Sequence, residues 1–189
     1  SAYGIFFAAE TPDENAVTAQ AAVEQLTGEY RDRLEEIENR VEYDRQEIES
    51  NDGSYAIAWQ DVLAVFASQT AGDTNGAAVA YLDADNVERL RTVLWDMNEL
   101  DWRTETQTRE IEQSNEDGES ETTTITETVL VIELTHHTPE EMRETYHFTD
   151  RQNEYLTLLS GEDTATLWGE LLGGFVQSGE DIMAPGMDT

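Results

Sequence analysis

Two carboxylates near the middle of the chain, Glu99 and Asp101, follow a predicted helix and precede a predicted strand. Trp95 and Trp102 flank them in the sequence. A glycosidase needs one carboxylic acid with a raised pKa and a second carboxylate across the scissile bond, and an indole ring can desolvate such an acid or stack on a sugar. One alternative is therefore a lysozyme-like peptidoglycan glycosidase that uses Glu99 or Asp101. Acidic helix ends and core tryptophans are common, however, so the sequence favours a chain without catalytic residues.

A second group of side chains, His136, His137 and the acids beside them, has the chemistry of metal ligands. Neighbouring residues of a strand point to opposite faces, so the two imidazoles cannot easily share one ion. Residues 51–53 and 73–76 resemble calcium-binding loops, but neither has the regular spacing of acids followed by a glutamate six positions after the glycine. We predict no metal site and no cofactor.

The overall composition limits the partners that this chain can bind. Its 189 residues include 42 acids and ten basic residues, all of them arginine, and the formal net charge is −32. Such a chain repels nucleic acid and anionic membrane surfaces, and without cysteine or lysine it lacks thiol chemistry and a P-loop. The remaining partners are cations, basic proteins or neutral glycans. An excess of acids without lysine also fits a surface protein of a halophile, which is another alternative.

Apolar periodicity and capping residues predict three helices in the first hundred residues. The first begins at Thr11, whose capping box is completed by Glu14, and extends to about Arg40. The second covers residues 57–69 and is the most apolar, so we expect it at the centre of the fold. The third begins at Asp83 or Asp85 and ends near residue 100.

Alternating threonines then predict a long β-hairpin between Thr104 and Thr135, with a turn over residues 114–119. Seven acids lie between residues 105 and 121, so its tip is expected to be exposed. Capping residues at Thr138 and Thr149 open two short helices, and residues 164–172 form a last one. The predicted fold class is α+β: a mostly helical single domain with a long protruding two-stranded antiparallel β-hairpin.

The two ends of the chain differ in composition from the region between them. Residues 3–9 are apolar and precede the first predicted helix, so residues 1–10 are interpreted as an arm that follows a membrane segment. Residues 11–172 form the predicted α+β domain. Residues 173–189 are rich in Gly, Asp and other linker-forming residues, and we interpret them as a linker to a further domain.

Short segments spread over nearly the whole chain carry a family resemblance. They are residues 3–7 (YGIFF), 30–34 (YRDRL), 59–66 (WQDVLAVF), 94–98 (LWDMN), 103–106 (RTET) and 138–142 (TPEEM), together with Tyr146 and Phe148. The chain resembles the extracytoplasmic, membrane-proximal region of cell-wall hydrolases encoded on conjugative transposons, which are mobile elements, of Gram-positive bacteria.

This resemblance implies an architecture rather than an active site. In such proteins a membrane helix precedes a region of this kind, and a peptidoglycan peptidase domain follows after a linker. None of the matching segments is a catalytic signature, so no catalytic residue is carried over to this chain. The resemblance implies a non-catalytic spacer or docking domain at the cell surface, anchored to the membrane in the full-length protein. We expect any protein partner, in the transfer machinery or the cell wall, to contact the acidic hairpin.

Overall fold

The computed structural model describes residues 14–71 and 79–173, which contain both helices and strands. This confirms the fold class as a mixture of α and β structure with six helices and two sheets. No helix among these residues is long and apolar enough to cross a membrane. The strands are β1 (Val17–Thr18), β2 (Arg45–Ser50), β3 (Tyr81–Leu82), β4 (Asn98–Ser114) and β5 (Ser120–His136). The helices are α1 (Ala19–Glu38), α2 (Trp59–Thr70), α3 (Ala84–Met97), α4 (Pro139–Thr145), α5 (Asp150–Leu159) and α6 (Ala165–Leu172).

Helix starts follow local capping chemistry, and one of the predicted starts is wrong. The first helix begins at Ala19, because the Thr18 side chain accepts a hydrogen bond from the Ala21 backbone. The residues just before it form β1, which pairs with β3. Capping boxes at Thr138 and Thr149 are present as predicted. Residues 1–10, which were interpreted as following a membrane segment, lie outside the described residues. The Thr11 cap and most of the predicted linker lie outside them as well.

The hydrophobic core is centred on α2. Almost every residue of this helix is buried, and the helix packs against α3, α4 and α5. The indole of Trp59 donates a hydrogen bond of 3.0 Å to the Thr27 hydroxyl of α1, which satisfies both buried polar groups. The prediction of a central second helix follows from its apolar composition, and the buried residues of α2 confirm it.

The larger sheet has the strand order β2-β5-β4. The predicted two-stranded hairpin, β4–β5, is therefore extended by a third strand, β2, which pairs with β5. β4 and β5 pair antiparallel from Asn98↔His136 to Ser114↔Ser120, while β2 pairs parallel with Val129–Leu134 of β5. The sequence did not predict β2, because RQEIES has one apolar residue and shows no clear period of two. Its backbone pairing with β5 therefore decides its conformation.

The two faces of this sheet are covered in different ways. On one face, Leu130, Ile132 and Leu134 of β5 belong to the hydrophobic core. On the other face, Val129 and Val131 are fully buried but are not part of that core. Charged side chains of the neighbouring strands lie opposite these valines.

Candidate functional site

The sequence-predicted carboxylates Glu99 and Asp101 lie on β4, two residues apart, and therefore point to the same side of one strand. Both are exposed to solvent. One Glu99 oxygen lies 2.6 Å from Nε2 of His137, and Asp101 accepts a hydrogen bond from the backbone of Trp102. The structure thus pairs Glu99 with an imidazole.

The two adjacent histidines have separate surroundings. Nδ1 of His136 lies 2.8 Å from the Asn98 side-chain oxygen, and its Nε2 lies 3.0 Å from the Ser54 carbonyl oxygen. His137 contacts Glu141 through Nδ1 at 2.7 Å and Glu99 through Nε2. Within the described part of the chain, no group of three or more His, Cys, Asp or Glu side chains has the arrangement of a metal site.

His137 joins three elements through charge. Hydrogen bonds to the carboxylates of Glu141 and Glu99 raise its pKa, because both acceptors favour the protonated ring. The hydrogen bond from His137 and the backbone amide of Thr138 in turn lower the pKa of Glu141. The protonated ring therefore ties the end of β5 to the start of β4 and to the first turn of α4.

A cavity of about 150 Å³ lies beside the histidines. Its walls include the first turn of α2, where burial raises the pKa of the Asp61 carboxyl group. Burial also acts on Asp52 at the rim, but hydrogen bonds from Ser54 and Ser50 outweigh it and lower the pKa of that carboxyl group. Sequence reasoning missed Asp61. An acid in the first turn of the most apolar helix was the only signal that could have indicated it.

The second candidate surface is the outer part of the β4–β5 hairpin, residues 106–128, which lies beyond Arg45, the first residue of β2. We call this part the arm. It carries seven acids and one arginine, a formal charge of −6. Most of its side chains are exposed on both faces. At its tip, the Asn115 side-chain oxygen accepts hydrogen bonds from the backbones of Asp117 and Glu119, and Gly118 adopts a positive φ of 80°. The turn thus places its acids at the end of the arm.

Next to the arm, in the part of the sheet that includes β2, four of the six acids are paired with arginines. We call this part the sheet base: β2, residues 98–105 of β4 and residues 129–136 of β5. The Arg103 guanidinium lies 3.1 Å from Glu49, 2.9 Å from Glu105 and 2.7 Å from Glu133. Arg45 is paired with Glu47 and Glu127. These side chains lie beside Val129 and Val131. The aliphatic stems of the ion-paired arginines therefore cover these apolar groups.

On the arm, one acid has such a partner. Glu127 is 12% exposed and lies 2.8 Å from the Arg109 guanidinium. The other six acids of the arm have no arginine partner among the described residues. They are Glu110, Glu112, Glu116, Asp117, Glu119 and Glu121.

Comparison with known protein families, with curated proteins and with solved structures gave no match. The resemblance to mobile-element hydrolases therefore stays a prediction. The two candidate surfaces are identified by their geometry and charge.

Proposed function

We propose that this chain is a non-catalytic, extracytoplasmic spacer or docking domain of a mobile-element cell-wall hydrolase. It would form a mostly helical single domain from which the arm protrudes toward a basic partner protein. The resemblance supplies the setting at the cell surface. The arm supplies the contact.

One observation carries the docking proposal: within the described part of the chain, six exposed acids of the arm have no arginine partner, whereas the arginines of the sheet base are paired. Surface carboxylates without a basic partner contribute little to the stability of the chain, since like charges repel one another. They favour association with a positively charged surface, and they accelerate it most at low ionic strength. The distribution of charge along one hairpin thus supports a structural role for the sheet base and a binding role for the arm.

A basic model partner tests this proposal directly. The probe is a ten-residue peptide of alternating lysine and threonine, and its dissociation constant is measured by fluorescence anisotropy. Replacing Glu110, Glu112, Glu119 and Glu121 with glutamine is expected to weaken binding by about tenfold or more, because charge complementarity is lost. Increasing the salt concentration should also weaken wild-type binding, since the Debye length falls to about 3 Å at 1 M.

The matched control removes the same number of charges elsewhere. Glu24, Glu35, Glu154 and Glu170 are exposed acids on helices, and their replacement with glutamine should change the dissociation constant by less than about threefold. Equal losses for both variants would mean that net charge, and not the arm, attracts the peptide. Binding that is insensitive to salt would contradict docking by charge.

The non-catalytic part of the proposal has its own test. Purified peptidoglycan incubated with this chain is expected to keep its turbidity at every pH. Clearing that is abolished by Glu99→Gln together with Asp101→Asn would instead establish the glycosidase alternative. The same pair of substitutions should leave peptide binding intact, because neither residue lies on the arm.

A further inference from the structure

We propose that the open edge of β5 on the arm receives an extended basic segment of the partner as an additional strand, continuing the sheet where β2 ends. This inference rests on the docking function proposed above and specifies its geometry. The added strand would bind mainly through backbone hydrogen bonds, with side-chain charge selecting a basic sequence.

The orientation of the β5 backbone follows from its contacts with Asp44, the residue just before the start of β2. Thr128 is bonded on the β2 side, where its carbonyl accepts a 2.8 Å hydrogen bond from the Asp44 amide and its amide donates to the Asp44 carboxylate. Backbone groups alternate in direction along a strand. The amides and carbonyls of Thr126, Thr124 and Thr122 therefore point to the same side as those of Thr128.

No described strand pairs with that side of the arm. β2 pairs with Val129–Leu134 of β5 and reaches no residue closer to the tip. The edge therefore presents a row of unpaired donors and acceptors over residues 120–127, a length of roughly 26 Å at about 3.3 Å per residue. A row of this length is enough to pair with a complete strand, because strands commonly have five or six residues.

A shallow depression lies at the inner end of this edge. Thr128 and residues 41–44 line an open space of about 510 Å³. Glu42 and Asp44 in this lining are exposed acids, and Val41 and Tyr43 are half-buried. A lysine or arginine side chain fits this mixture, because its aliphatic stem contacts apolar groups while its charge meets the carboxylates.

Charge decides which strand can occupy the edge. A second copy of this chain would bring the same acids next to Glu119 and Glu121, and like charges placed opposite each other destabilise a strand pair. A basic strand gains from the same acids. The opposite edge of the arm is less suitable, because residues 106–114 of β4 include Arg109, while residues 120–128 of β5 contain no basic residue.

Two threonines that face each other across the hairpin provide a matched test. Thr126 and Thr108 are register partners, and both are exposed. Because Thr126 points to the β5 edge, its partner Thr108 points to the β4 edge, so neither amide bonds within the hairpin. Proline removes the amide hydrogen at either position without removing a hydrogen bond of the β4–β5 ladder.

The same lysine–threonine peptide is titrated against both variants. Thr126→Pro is expected to weaken binding by about tenfold, and Thr108→Pro by less than about threefold. Hydrogen exchange in the complex provides a second measurement that does not depend on the proline variants: the Thr124 and Thr126 amides should become protected, while the Thr106 and Thr108 amides should not.

The outcomes separate this inference from the docking function. Equal effects of the two prolines, or protection on the β4 edge, would overturn strand addition to β5 and leave docking by the arm intact. A wild-type chain that does not bind the peptide at all would overturn the docking proposal itself.

Discussion

The sheet base and the arm are built from the same two strands but differ in what surrounds them. In the sheet base, one face of β5 belongs to the hydrophobic core and the other is covered by ion-paired arginines. On the arm, most side chains are exposed, and six acids lack an arginine partner among the described residues. Continuous backbone pairing therefore extends far beyond the region that side-chain burial stabilises. A strand pair maintained without burial is available for contact with another molecule.

The first prediction compares the same substitution at two positions of β5. Ile132 is fully buried in the sheet base, whereas Ile125 on the arm is partly exposed. Ile132→Ala should lower the free energy of unfolding by about 2–5 kcal/mol, because it removes buried apolar atoms and leaves a cavity. Ile125→Ala should lower it by less than about 1 kcal/mol. Urea denaturation measures both values, and equal losses would show that the arm has a core of its own.

A second prediction concerns the arginines that cover the outer face. Arg103 pairs with three acids beside the buried Val131, whereas Arg109 pairs with Glu127 alone. Arg103→Ala should therefore lower the melting temperature more than Arg109→Ala does, through lost packing as well as lost charge. The part due to packing should persist in high salt. Equal melting temperatures of the two variants would show that the ion pairs of the sheet base have no structural role.

A third prediction tests the charged link at the end of the sheet base. The folded pKa of His137 is raised, so its stabilising effect is complete below the unfolded pKa of about 6.5 and is lost as the pH rises through the folded pKa. His137→Gln should thus lower the free energy of unfolding at pH of about 6, with a smaller loss at pH of about 9. His147→Gln, at an exposed position, is the control. A loss that grows with pH would contradict the assigned contacts.

The smallest expected effect is on the stability of the arm variant with four glutamines. Because these acids lack arginine partners in the part of the chain that the structure describes, their neutralisation should change the free energy of unfolding by no more than about 0.5 kcal/mol, and toward greater stability. Thermal and urea denaturation at low salt check this value. A large loss would show that the acids are structural and that a binding defect in this variant could arise from unfolding.

The elements of this fold that sequence reasoning found are those with strong local signals. Thr138 and Thr149 have capping partners three residues later, and α2 is apolar enough to indicate a central position. The strand β2 was missed because its sequence is almost entirely polar, and it becomes a strand by pairing with β5. The start of α1 was placed too early because Thr11 and Thr18 can both act as caps. The contact between β1 and β3 decides between them, and local sequence does not contain it.

The candidate site shows the same limit. The acidity of the arm is visible in the sequence, but the pairing of the arginines with particular acids depends on strand register. Glu99 could be selected as an acid at a helix end, whereas its contact with His137 requires β4 and β5 to be neighbours. Asp61 was missed because the cavity beside it is also lined by residues 97–98 and 136–138, which are distant in sequence.

A mapping experiment tests the central claim most directly. Amide chemical shifts of the isotope-labelled chain are recorded as the lysine–threonine peptide is added at low salt. If the arm docks a basic segment, shifts will change over residues 106–128 and at the adjacent depression, and they will return to their starting values as salt is raised. Changes confined to the helices, or to the cavity beside His136, would contradict docking by the arm.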